Sequence, residues 1–158
     1  MTGEIIKSIE VIPLKVKLIE PFIISLGKLE YADNVVVKIT TQNGIIGFGE
    51  CSPFRSTHGE TAETCLAVGK IISKNFIGKD ALKIEELVSL MDKIIFGNTS
   101  IKSAFDISLY DIASQHSKVP LYEFLGGKND KLIHTDYTVS NDTPEKMTSD
   151  AKKILNAG

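Results

Sequence analysis

The sequence predicts an α+β fold: a three-stranded antiparallel meander, a helical bundle packed with it, and a strand–helix unit at the C-terminal end. Three observations carry this. Apolar residues alternate with charged ones in the first fifty residues, the period of strands with one buried face. From about residue 60 to residue 117 the apolar spacing becomes helical. The last stretch, from Asp130 to Gly158, reads as strand, loop and capped helix.

In "IEVIPLKVKL" the residues Ile12, Leu14, Val16 and Leu18 alternate with Lys15 and Lys17. Pro13 cannot donate to a ladder, so this strand is predicted at a sheet edge or at a strand start. "NVVVKITT" and "GIIGFGE" flank Asn43-Gly44, a dipeptide suited to a two-residue type I′ hairpin because both central residues need positive φ. Between the first and second strands, residues Glu20 to Asn34 read as a long connection. Connections of that length in compact domains are uncommon and often functional. A second loop runs from Cys51 to Gly59.

The helices follow. Ala62, Leu66, Ala67, Ile71, Ile72 and Phe76 recur at helical spacing between about Glu60 and Ile77. Ile84, Leu87, Val88, Met91, Ile94 and Ile95 form one stripe of the next. The third, about Ser100 to Ser117, contains "AFDISLYDIA", apolar nearly all round, which predicts a helix covered on most sides. Val119-Pro120 ends it, because a residue before proline leaves α space. "LYEFLGG" is a short helical turn stopped by two glycines.

At the C-terminal end "LIHTDYTVS" is a strand-sized stretch rich in β-formers. Thr143 is the predicted N-cap of the last helix, Pro144 its first residue, and Glu145 faces the positive helix end. Ala151, Ile154 and Leu155 supply its apolar face, and Gly158 is the predicted stop. A strand followed by a capped helix is half of a βαβ crossover, which delivers a parallel partner strand. None follows Gly158, so the pattern predicts that the fold continues past the C-terminus of this sequence.

Composition excludes several function classes. With 158 residues, 42 % of them hydrophobic and 24 % charged, the chain matches an ordinary globular protein able to bury a core. A formal charge of −2 leaves no basic footprint for nucleic acid or an anionic membrane. Cys51 and Cys65 are the two cysteines and form no CxxC, which fits a reducing compartment rather than a disulfide framework. The first residues lack the basic and apolar regions of a secretory signal, and no apolar run is long enough for a membrane helix. A cytoplasmic location is expected.

Most chemistry-bearing side chains read as structural. His58, His116 and His134 share no metal-ligand spacing. Asp106 and Asp111 are five apart and fall on different faces of one helix, and Asp111 reads as an acceptor satisfied by backbone or a basic partner. Gly44, Gly47 and Gly49 lack the strand–loop–helix context of a phosphate-binding loop. The two loops remain as the candidate binding elements.

Three motifs carry a resemblance: "GFGE" followed by a proline-containing loop, the helix "AFDISLYD", and the exit "PLYEFLGG". Together with the order of elements over essentially the whole chain, they resemble the start of an enolase-superfamily enzyme of the muconate-lactonizing subgroup. "TDYTVS" resembles the first barrel strand of dipeptide epimerases of the Ala-Glu type.

The resemblance implies an α+β capping domain over residues 1–127, with residues 128–158 as the first strand–helix unit of a (β/α) barrel. Such a barrel takes about 250 residues. It implies a lysine pair, Lys-x-Lys, on the next barrel strand, with the Mg²⁺ ligands and an opposing lysine further on, so no catalytic or metal residue is expected in this sequence. One lysine removes the proton α to a carboxylate, Mg²⁺ stabilises the enediolate, and a second lysine returns a proton. The expected partner is a small dipeptide, without nucleic acid or membrane; the resemblance leaves room for a homo-oligomer.

Residue by residue, Thr138 matches the first-strand threonine that contacts the substrate. Phe22 and Ile24 match positions of the first capping loop that wall the side-chain pocket, and Thr57 lies in the second loop. Epimerases that prefer glutamate carry an arginine in the first loop. Here Gly27 stands at that position with Lys28 beside it, while Ile24 and Leu26 are apolar, so small or apolar dipeptides are expected. The alternatives are o-succinylbenzoate synthase or muconate cycloisomerase of the same superfamily, or a non-catalytic α+β binding module.

Overall fold

The computed structural model describes residues 3–24, 27–128, 130 and 132–156. Strands β1 (Ile6–Ile24), β2 (Gly27–Thr41) and β3 (Ile46–Cys51) form one sheet in the order β1-β2-β3. They are followed by α1 (Arg55–His58), α2 (Ala62–Phe76), α3 (Ile84–Ile94), α4 (Thr99–Ser117), α5 (Leu121–Phe124) and α6 (Pro144–Asn156). The antiparallel meander and helical bundle expected from the sequence are present, and Pro13 lies on an edge strand as its missing donor requires.

Three expectations need correction. The long connection between Glu20 and Asn34 is mostly strand, because β1 runs on to Ile24 and β2 starts at Gly27. Phe22, Ile23, Ile24 and Tyr31 are β-formers, and the strands continue outward through them. The β2–β3 turn is a three-residue connection rather than type I′. Thr41 N–H donates to the Ile45 carbonyl at 2.9 Å, and of Asn43 and Gly44 only Gly44 has positive φ, at 90°. Finally, residues 132–140 form no ladder and are mostly exposed, since a strand needs a neighbour to bond to. Leu26 and Gly158 lie outside the described residues.

The chain divides into two compact units, Met1–Lys15 with Asp33–Asn129 and Val16–Ala32 with Asp130–Gly158. In the first, Val35, Val37, Ile39 and Thr41 alternate inward from β2 and are almost wholly buried. Helix α4 crosses this face and contacts α2, α3, α5 and β3, as its all-round apolar sequence predicts. It lies so close to β3 that a Cβ at Gly49 would enter the Ala104 carbonyl and one at Gly47 the Ser108 carbonyl. Two glycines of "GFGE" are thus contact surface for a helix backbone. Phe76 of α2 meets Phe105 of α4 edge-to-face, with centroids 5.5 Å apart.

The helix starts are held by different means. Thr61 and Thr64 form a reciprocal capping box at α2. Thr143 caps α6, as its sequence predicts, its hydroxyl accepting from Lys146 N–H at 3.4 Å. The N-terminal segment is pinned to the connection between α2 and α3: Ile6 N–H donates to the Lys79 carbonyl, and Ala81 N–H to the Glu4 carbonyl.

Candidate functional site

The second unit holds three of the four residues singled out in the sequence. Phe22 and Ile24 are half-buried near the end of β1, and Thr138 is exposed in the extended segment before α6. A backbone hydrogen bond ties these stretches together, Asn141 N–H donating to the Ile23 carbonyl at 2.9 Å. At the start of β2, Gly27 has φ 140°, a conformation that a side chain rarely adopts. The Lys28 ammonium is 2.7 Å from the Glu30 carboxylate. That hydrogen bond, and then the charge of Lys28, holds the Glu30 carboxyl below its usual range.

Thr57 belongs to the first unit, exposed on the single turn α1 within the second loop. That turn is fastened at both ends. Phe54 N–H donates to His58 Nδ1 at 3.4 Å, and Gly59 closes it in the left-handed region with φ 71°. Just beyond, Glu60 is 6 % exposed and caps the first turn of α4 from a distance: its Oε1 accepts from Ser100 N–H at 3.1 Å and from the Thr99 hydroxyl at 3.5 Å. Its other oxygen accepts from Cys65 Sγ at 3.6 Å. A polar cleft of about 220 Å³ opens here, lined by Cys51, Ser52, His58, Thr99, Ser100 and Ser103. Burial pushes both thiols up, Cys65 furthest because Cys51 and Glu60 add to it, so neither offers a ready thiolate.

Sequence reasoning missed Glu60 and also Glu4, whose buried carboxylate meets Asn43 Nδ2 at 3.2 Å and His116 Nδ1 at 3.0 Å. No local spacing signals either one, because Asn43 and His116 lie 39 and 112 residues from Glu4, and Ser100 lies 40 from Glu60.

Asp111 is a structural acceptor, taking a hydrogen bond from Phe48 N–H. Burial, with Glu85 adding, raises the Asp106 carboxyl. Among the described residues no three His, Cys, Asp or Glu side chains come together to hold a metal ion. These residues therefore do not fit Mg²⁺. Among the described residues no helix is long and apolar enough to cross a membrane.

The three-stranded meander against a helical bundle is the N-terminal domain of the mandelate racemase / muconate lactonizing enzyme family, whose family model matches residues 7–126. The chain belongs to that family, within the enolase superfamily. It is 54 % identical over 154 residues to the D-Ala-D/L-Ala epimerase of Cytophaga hutchinsonii, a match covering 98 % of this chain and 42 % of that protein. Identity to the L-Ala-D/L-Glu epimerase of Clostridium acetobutylicum is 37 % over 155 residues, covering 98 % of this chain and 43 % of that protein. The crystal structure of a dipeptide epimerase from Cytophaga hutchinsonii, complexed with Mg and the dipeptide D-Ala-L-Val, superposes with a TM-score of 0.94 at 55 % identity. That match covers 98 % of this chain and 42 % of that one. The chain thus spans little more than two-fifths of the length of these relatives.

Proposed function

We propose that this chain is the N-terminal part of a Mg²⁺-dependent dipeptide epimerase that exchanges the proton on the carbon α to a carboxylate through an enediolate, favouring small or apolar dipeptides. Residues 1–127 act as the cap and residues 128–158 begin the barrel. The lysines and the Mg²⁺ ligands come from residues outside this sequence. Within it, Phe22 and Ile24 wall the substrate side chain, Thr138 contacts the substrate, and Thr57 lies on the second closing loop. A soluble, cytoplasmic enzyme acting on small peptides fits the composition.

The apolar preference rests on one observation: the start of β2 offers no free cation to a substrate carboxylate. Gly27 carries no side chain, and the Lys28 ammonium is paired with Glu30. A carboxylate buried there without a partner costs several kcal/mol, whereas a buried methylene gains about 0.8 kcal/mol. Electrostatics therefore decides the contest. The name and the D-Ala-L-Val ligand of the Cytophaga relatives support the same reading. The test is a dipeptide library presented to the full-length enzyme in deuterated water, following exchange at the α-carbon. Ala-Ala-like and Ala-apolar dipeptides should exceed Ala-Glu in kcat/KM; Ala-Glu in first place would overturn the preference.

A further inference from the structure

Helix α6 places a cation where its own electrostatics disfavour one. Lys146 lies in the first turn, at the positive end of the helix dipole. Its partner within the helix, Asp150 at 2.6 Å, sits four residues C-terminal, the weaker order for such a pair. A further anion comes from outside the helix: Glu20 Oε2 of β1 is 4.0 Å from the ammonium. The hydrogen bond to Asp150, with Glu20 and Asp142 adding, holds Lys146 above the usual lysine range. Three residues beyond Glu20, the Ile23 carbonyl accepts from Asn141 N–H. The turn Asn141–Thr143 is itself stiffened, as Thr143 N–H donates to Asp142 Oδ1 at 2.8 Å. The end of β1 is therefore held to the entrance of α6 at two points, one charged and one neutral, and Phe22 lies between them.

We propose that Lys146 is a positioning residue whose contact with Glu20 seats the segment Glu20–Ile24 against Asn141 and so sets Phe22 and Ile24 for the substrate. The proposal rests on the functional reading above for its effect on catalysis, but not for the seat itself. Lys146 touches no reacting atom; it acts through the strand end. Charge supplies the holding force, so the seat weakens with ionic strength, as exposed ion pairs do.

The experiment uses the full-length protein with Lys146→Gln, Glu20→Gln, the double variant and Lys146→Arg. Hydrogen exchange at the Asn141 amide is read with and without added salt, alongside kcat and KM on an Ala-apolar dipeptide. An exposed pair of this kind predicts exchange about two- to fivefold faster in each single variant. The double variant should be no faster than either single one, and Lys146→Arg should stay near wild type. Salt should accelerate exchange in the wild type but not in the Gln variants. KM should rise by a similar factor with kcat nearly unchanged. Glu20→Gln guards against a trivial loss of α6, since it lies on another element. Unchanged Asn141 exchange in Glu20→Gln and Lys146→Gln overturns the seat while leaving the epimerase reading intact. Coupled exchange in a protein that turns over no dipeptide supports the seat and counts against that reading.

Discussion

Phe48 and Asp111, 63 residues apart, are joined by a hydrogen bond from the Phe48 amide to the Asp111 carboxylate at 2.8 Å. One turn further along α4, Gln115 Nε2 donates to the Ile46 carbonyl at 2.7 Å. Strand β3 is an edge, and these two side chains at helical spacing take up backbone groups that have no strand beside them. Close approach makes this possible, and Gly47 and Gly49 permit the approach.

Asp111→Ala should therefore lower stability by about 1–3 kcal/mol, the range for leaving a hydrogen-bonding backbone group without its partner. Gly49→Ala should cost at least as much, since its methyl meets the Ala104 carbonyl, a backbone atom with little room to yield. Denaturant midpoints measure both. An unchanged midpoint for Gly49→Ala would contradict the packing described.

Glu4 predicts a pH dependence. Burial pushes its carboxyl up, but hydrogen bonds from Thr41, Asn43 and His116 outweigh that and hold it below the ordinary value of 4.5. A carboxyl lowered by folding contributes stability above 4.5 and loses it as pH falls through the lower folded value. Relative to wild type, Glu4→Gln should lose on the order of 1–3 kcal/mol at pH 7, and the gap should narrow below pH 4.5. Midpoints measured from pH 7 to pH 3 check the sign.

Gly27→Arg tests whether a guanidinium alone confers acidic specificity. At φ 140° any side chain is strained, with a cost on the order of 1–3 kcal/mol. The variant should be less stable, and by supplying the missing cation it should raise kcat/KM for Ala-Glu relative to Ala-apolar dipeptides; an unchanged ranking would count against electrostatics as the basis of the preference. Lys28→Ala should leave the ranking unchanged, because Glu30 already engages the ammonium. A Lys28→Ala enzyme that loses Ala-Glu turnover would assign that lysine to the substrate instead.

A protein limited to residues 1–158 should show no epimerase activity and only weak, non-specific Mg²⁺ binding, as no ligand cluster forms among the described residues. It should also associate, because Leu132, Ile133 and Tyr137 are 84 %, 88 % and 75 % exposed in a segment without strand neighbours. Light scattering and an exchange assay suffice. A monomeric, active product would refute this.

Local patterning by itself determined the meander, α2 to α4 and α6, and the placing of Pro13 on an edge. Those features depend on neighbours two to four residues apart, which a sequence displays directly. The motifs carried the family for the same reason, since "GFGE" and "AFDISLYD" record the contact of β3 with α4. Tertiary structure alone decided the rest. Whether Glu20 to Asn34 is loop or ribbon depended on the two halves pairing with each other. Whether residues 132–140 form a strand depended on a neighbour, and none pairs with them among the described residues. Glu60 at the start of α4, Glu4 beside His116, and Lys146 facing Glu20 join groups 39 or more residues apart. Such contacts leave no periodic trace, because the chain reaches them only after its elements have packed.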